Sequence, residues 1–148
     1  MSAIERYFSL ATDILSDVLA TQKDKMEAAA QKFKEAMLAK KSIFAFGCNH
    51  AGMLAFELFY RAGGLVTINP IRAAGMMLEM TPVTMTTDLE RLDGYGKILL
   101  DNTPIKQGDV LLLHSVTGRN PIIVEMALLA RERGIYVIAI TNMRSTLA

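Results

Sequence analysis

The sequence predicts an α/β protein in three layers, a parallel sheet with helices on both faces, preceded by N-terminal helices. Three observations carry the prediction. Short apolar runs recur as SIFAF, LVTIN, VLLLHS and YVIAI, each of strand length. Segments with helical spacing separate them, and Gly or Pro stands at nearly every junction. Runs that are apolar at consecutive positions belong to strands covered on both faces, and the alternating helices supply the covers. The crossovers are expected to be right-handed.

Composition narrows the classes. A chain of 148 residues can bury a sizeable core, and 51% of it is hydrophobic, too much for a disordered chain. Sixteen basic against 15 acidic side chains leave a net charge of +1, with the basic residues spread evenly between segments. That balance gives no global attraction for nucleic acid or an anionic membrane. The single cysteine, Cys48, excludes an internal disulfide framework. No apolar run reaches the ~18 residues of a membrane span, and the opening MSAIERYFSL lacks the pattern of a secretory signal. The expectation is a soluble, cytoplasmic protein.

The elements follow in order. Ile4, Tyr7, Phe8, Ala11, Ile14, Leu15 and Val18 keep helical spacing, which predicts an amphipathic helix over 3–20. Met26, Ala30, Phe33 and Met37 predict a second over 24–40. Residues 1–41 thus form a helical lead-in, whose stripes suit core packing or a dimer face. SIFAF (42–46) is the first strand, and residues 50–62 form a helix closed by Gly63 and Gly64. LVTIN (65–69) is the second strand, ended by Pro70. Residues 71–87 are irregular, and Thr87 with Glu90 has capping-box spacing for a helix that fades near Leu100. VLLLHS (110–115) is the third strand. Asn120 caps a helix over 121–133 with Pro121 at its first position, and YVIAI (136–140) is the fourth strand. Ala148 falls where a fifth βα unit would begin, so the end reads as a cut and a final strand is expected to be missing.

In open α/β sheets ligands bind beyond the carboxyl ends of the strands. Two loops meet that condition, Gly47-Cys48-Asn49-His50-Ala51-Gly52 and Ser115-Val116-Thr117-Gly118-Arg119-Asn120. Each leads from a buried strand to a helix N-terminus, where free N–H groups and the helix dipole favour an anion. Ser115 and Thr117 can add hydrogen bonds, and Gly118 lets a phosphate approach the backbone. The plainer reading of the same residues is helix capping. A dinucleotide fits poorly, because only Gly47 and Gly52 of G-x-G-x-x-G are present and Asn69 stands where an acidic residue would meet a ribose. Cys48 and His50 are too few for a zinc site. No metal or cofactor is expected, and the ten methionines suit core gaps or an oligomer interface.

Taken together and in this order, the two loops resemble those of the sugar isomerase (SIS) domain family of phosphosugar isomerases and phosphosugar-binding regulators. The family's strand–S-x-[ST]-G-x-[ST]–helix element matches LLLHSVTGRNPIIVEMALLARERGIYVIAIT, with Ser115, Thr117 and Gly118 in register. Its first Gly-rich strand–loop–helix matches FAFGCNHAGMLAFELFYRAGGL. The resemblance covers roughly residues 30–145 and makes 42–148 a SIS domain incomplete at its C-terminal end. More narrowly, GC-x-H followed by ELFYRAGGL is similar to a bacterial group related to phosphoheptose isomerases. The chain departs from the pattern at Asn49, usually Gly, at Ala51, usually a phosphate-holding Ser, and at Asn120, usually a hydroxyl residue.

The resemblance implies a flavodoxin-like parallel sheet, a sugar-phosphate ligand and a homodimer or larger homo-oligomer. It implies ligand contacts from Gly47, Cys48, Asn49, Ala51, His114, Ser115, Thr117, Gly118 and Asn120. Glu57, inside LAFELFY, matches a catalytic glutamate of phosphoheptose isomerases and of the related N-acetylmuramate-phosphate etherases. Aldose–ketose isomerisation needs such a carboxylate to move a proton between neighbouring carbons. The bland alternative is a surface Glu57–Arg61 pair at i, i+4. Glu57 follows His50 by seven residues, which on one helix places both on nearly the same face. His50 and His114, the only histidines, both fall at strand ends, where either can assist ring opening or bind a sugar hydroxyl. Two functions therefore stand side by side: an aldose–ketose sugar-phosphate isomerase, and a sensor or regulator that binds a sugar phosphate without turnover. A third is an assembly module acting through the N-terminal helices.

Overall fold

The computed structural model describes residues 1–147. Four strands, β1 (Ile43–Gly47), β2 (Ile68–Pro70), β3 (Val110–His114) and β4 (Tyr136–Ile140), form one sheet in the order β2-β1-β3-β4. Every pairing is parallel. Among the described residues six helices accompany them: α1 (Ala3–Leu38), α2 (Gly52–Leu58), α3 (Met85–Leu89), α4 (Tyr95–Asp101), α5 (Pro121–Glu132) and α6 (Met143–Leu147). A single 3₁₀ turn at Asn49–Ala51 precedes α2.

The sheet is apolar on both sides because its central strands alternate between two covers. Phe44 and Phe46 of β1 and Leu111 and Leu113 of β3 join Leu100 of α4 and Ile122 and Met126 of α5 in one buried cluster. Ile43, Ala45, Val110 and Leu112 point to the opposite face, where they too are buried and where α2 packs on β1 and β2. Right-handed crossovers demand this division, since the connection from β1 to β2 runs against the direction of the other two. At the sheet edge β4 is only partly covered, with Tyr136 and Ile140 each 46% exposed.

The chain divides into two compact units, Met1–Glu35 and Ala36–Ala148. The two expected N-terminal helices are one continuous helix, α1. Nothing between them breaks it: no Gly or Pro occurs before Gly47. The hydroxyl of Thr21 at the expected junction donates back to the Asp17 carbonyl one turn earlier, at 2.7 Å.

Three other boundaries also differ. The helix expected over 50–62 is shorter, because His50 lies in the 3₁₀ turn and Phe59 leaves α2 in an extended conformation. Its ring then lies 5.7 Å from the Arg72 guanidinium, a tertiary contact with no local signal. The second strand begins at Ile68, not Leu65, since Leu65 and Val66 are exposed and have no neighbour to pair with. The helix expected from Thr87 to about Leu100 is split into α3 and α4 at Gly94, whose φ of 83° is left-handed. Glu125 of α5 makes the restart favourable by accepting the Gly94 and Gly96 N–H groups at 2.5 and 3.0 Å.

Candidate functional site

Strand register positions the site. Gly47 at the end of β1 pairs with His114 at the end of β3, so the two candidate loops leave the sheet side by side. The chain turns one way from β1 to β2 and the other way from β3 to β4, which opens a crevice between these loops. His114 ties them together. Its Nδ1 donates to the Ala51 carbonyl at 2.9 Å, which leaves Nε2 free to accept.

The first loop is tight because its glycines are packed against backbone. A Cβ on Gly47 would lie 2.6 Å from the Ala51 carbonyl, and one on Gly52 would lie 2.8 Å from the Gly47 oxygen. Cys48 is buried, and burial with the nearby Glu90 charge pushes its thiol up to about 12, so it stays protonated and inert at neutral pH. Asn49 takes a left-handed φ of 52° while its N–H donates to the Met76 carbonyl. His50 is exposed in the 3₁₀ turn, and so does not share a face of α2 with Glu57.

The second loop folds on itself. Ser115 is buried, and its Oγ accepts the Gly118 N–H at 3.0 Å; Thr117 Oγ1 accepts the Arg119 N–H at 3.4 Å. Gly118 is left-handed at φ 64°. The N–H groups of Val116, Thr117 and Asn120 make no hydrogen bond among the described residues. Three free donors next to a helix start form a concavity suited to an anion. Asn120 sits at the N-cap position, but its side chain does not cap α5. The amide reaches across to Glu90 instead, donating to Oε2 at 2.8 Å.

Glu90 is the site residue that sequence reasoning missed. Its capping-box spacing from Thr87 points to a helix start, whereas α3 begins at Met85 and Glu90 terminates it. That places its carboxyl between the loops, with the Asn120 amide as donor and Asn49 and Cys48 nearby. Burial raises its pKa, partly offset by Asn120, Arg91 and Asn49. No local pattern could have identified it, because strand order alone brings this segment over the switch point.

Glu57 lies apart from that centre. It is exposed on α2 and hydrogen-bonded to Arg61. Together with Asn49, Met53, Phe56, Met77, Leu78 and Glu79 it lines an open cleft of about 330 Å³. Asn49 belongs both to this cleft and to the Glu90 cluster, and so connects the two. Among the described residues no three His, Cys, Asp or Glu side chains gather as a metal would need. No helix among them is long and apolar enough to cross a membrane.

The SIS domain model matches residues 6–142. The chain is 44% identical over 143 residues to a UPF0309 protein of Shouchella clausii, covering 97% of this chain and 58% of the relative. A UPF0309 protein of Oceanobacillus iheyensis is 43% identical over 143 residues, with the same 97% and 58% coverage. The chain thus spans little more than half the length of these relatives. Among solved structures, phosphoheptose isomerase from Neisseria gonorrhoeae superimposes with a TM-score of 0.67 at 19% identity, over 93% of this chain and 72% of that one. A phosphoheptose isomerase from Francisella tularensis gives 0.66 at 15% identity, over 95% of this chain and 75% of that one. These two share the fold. With nearly its whole length matched, this chain belongs to the SIS domain family.

Proposed function

We propose that the crevice between the loops at 47–52 and 115–120 binds a sugar phosphate, with the phosphate on the second loop and the sugar hydroxyls over Asn49 and Glu90. The single observation that supports this most is the register of Gly47 against His114, which sets a loop with free N–H groups beside the Glu90 carboxyl at the switch point. Free N–H groups on Val116, Thr117 and Asn120 suit phosphate oxygens, while Glu90 and His114 Nε2 accept from hydroxyls. Gly47, Cys48 and Ala51 shape the floor with backbone, and Ser115, Thr117 and Gly118 hold the loop in form. The phosphoheptose isomerase fold of the two superimposed structures favours the same ligand class.

Within this reading the protein is an aldose–ketose isomerase. Glu57, at the cleft that Asn49 joins to the site, takes the proton beside the sugar carbonyl and returns it to the neighbouring carbon, and His50 assists ring opening. Loss of deuterium from C2 of a labelled sugar phosphate tests it. Turnover that Glu57→Gln abolishes, with ligand affinity intact, supports the isomerase. The exposed Glu57–Arg61 pair favours the second reading, a sensor without turnover. Under that reading Glu57→Gln costs no more than about 0.5 kcal/mol of stability and changes nothing else. Replacing Ser115 and Thr117 together by Ala tests the binding role common to both. Unchanged affinity would remove the second loop from the site.

The same reading includes a homo-oligomer and a cytoplasmic location. Ile4, Tyr7, Phe8, Ile14 and Leu15 form an apolar stripe on α1, each at least 62% exposed in the single chain. Twofold pairing is the commonest way to cover such a stripe. A clean monomer mass by light scattering at micromolar concentration would defeat it. A buried free thiol suits a reducing compartment.

A further inference from the structure

Arg72 stands two residues beyond the end of β2, just after Ile71 extends the ladder by donating to the Ala45 carbonyl at 2.8 Å. It therefore emerges on the ligand side of the sheet, next to the end of β1. Its guanidinium lies 5.7 Å from the ring centroids of both Phe56 and Phe59. Those rings come from the last turn and the C-cap of α2, and Phe56 also lines the cleft that Asn49 shares with the Glu90 cluster. Although exposed, Arg72 makes no ion pair or hydrogen bond among the described residues. Arg61 and Arg133, by contrast, are each matched to a carboxylate.

An arginine in this state sits beside aromatic rings and has unused N–H donors. The two rings attract its charge and leave the guanidinium N–H groups without an oxygen partner. The N–H fork in its plane is left for a phosphate or carboxylate, which it can grip with two parallel bonds. The nearest acidic side chain on α2, Glu57, is already engaged by Arg61 and does not compete for it.

We propose that Arg72 is a second anion-binding point of the ligand crevice, so that the ligand is a sugar phosphate with another acidic group at its far end. The phosphate lies on the loop at 115–120, on the β3 side of β1, and the second group reaches Arg72 on the β2 side. This rests on the phosphosugar reading above and narrows it to doubly acidic sugars. A second phosphate and a carboxylate share the required chemistry.

Calorimetric titration of the chain with a hexose monophosphate, a hexose bisphosphate and a phosphorylated aldonic acid tests it. The expected result is that at least one doubly acidic sugar binds about tenfold or more tighter than the monophosphate, the equivalent of 1.4 kcal/mol. Which of the two gains identifies the second group. Arg72→Gln should erase the gain and leave monophosphate affinity unchanged. Arg72→Lys, which keeps the charge but loses the fork, should retain part of it. Equal affinity for single and double acids, or a gain that survives in Arg72→Gln, overturns the proposal while the phosphosugar reading stands. Absence of binding by all three sugars overturns both.

Discussion

The two βα units that meet at the switch point are built from the same plan and obey different physics. After β3 the chain turns through a loop into α5, twelve residues long, with Pro121 at its first turn and Ile122, Ile123, Met126 and Ala130 buried. After β1 it passes through a 3₁₀ turn into α2, only seven residues long, which buries just Gly52 and Ala55. The first is held by a wide apolar face. The second is held by close backbone approach at Gly47 and Gly52 and by aromatic contacts to Arg72. A helix anchored by its side chains declares itself in the sequence, and one anchored by backbone fit and distant partners does not.

The largest expected effect breaks the comparison at its core. Met126 is fully buried, so Met126→Ala should lose about 2–5 kcal/mol through lost burial and the cavity left behind. Met53, on the exposed side of α2, should tolerate the same change within about 0.5 kcal/mol. Urea unfolding of the two variants measures the difference directly. Comparable losses would mean that α2 is anchored like α5 after all.

Next comes the backbone test. Gly47→Ala would drive a methyl to 2.6 Å from the Ala51 carbonyl, which the loop can relieve only by opening, at a cost of about 1–3 kcal/mol. Gly118→Ala comes no nearer than 3.0 Å to any atom, the nearest being Thr141 Oγ1, and its main cost is the left-handed φ, about 1–2 kcal/mol. The loss at 47 should be accompanied by weaker pairing of β1 with β3, visible as faster hydrogen exchange at His114. Full protection there in Gly47→Ala would contradict the close-approach account.

The smallest effect is in the pH dependence, where Glu90 sharpens the contrast. Burial raises its carboxyl above the usual value of 4.5, so the folded chain holds this proton more tightly than the unfolded one. Its contribution to stability is therefore greatest below pH 4.5 and is lost as pH rises through the raised value. Glu90→Gln should remove that decline, leaving the variant at least as stable as the parent at pH 7 but weaker in binding sugar phosphates. Parallel stability profiles for parent and variant across this range would show that Glu90 carries no burial penalty.

How much of this was legible in the sequence depends on the range of the forces involved. SIFAF and VLLLHS mark strands because each is buried by neighbours on both faces, and their composition records that burial; YVIAI reads as a strand through its β-branched and aromatic residues, although β4 is only partly covered. Pro121 marks the start of α5 because an amide without N–H suits only the first helical turn. The residues of both loops could be named as candidates, since they follow those strands directly.

Other features depended on partners remote in sequence. The absence of Gly and Pro near residue 21 permits one long helix, yet the apolar stripes alone read equally as two. Phe59 leaves α2 to reach Arg72, and Asn120 gives up its helix cap to reach Glu90, thirty residues earlier. Glu90 itself enters the site only because the order β2-β1-β3-β4 carries its segment across the end of β1. The sequence by itself determined the alternation of elements, the parallel sheet and the loops from which a site could be made. Tertiary structure decided where helices end and which side chains meet, because hydrogen-bonding and stacking partners supplied by distant segments outweigh the few tenths of a kcal/mol by which most local propensities differ.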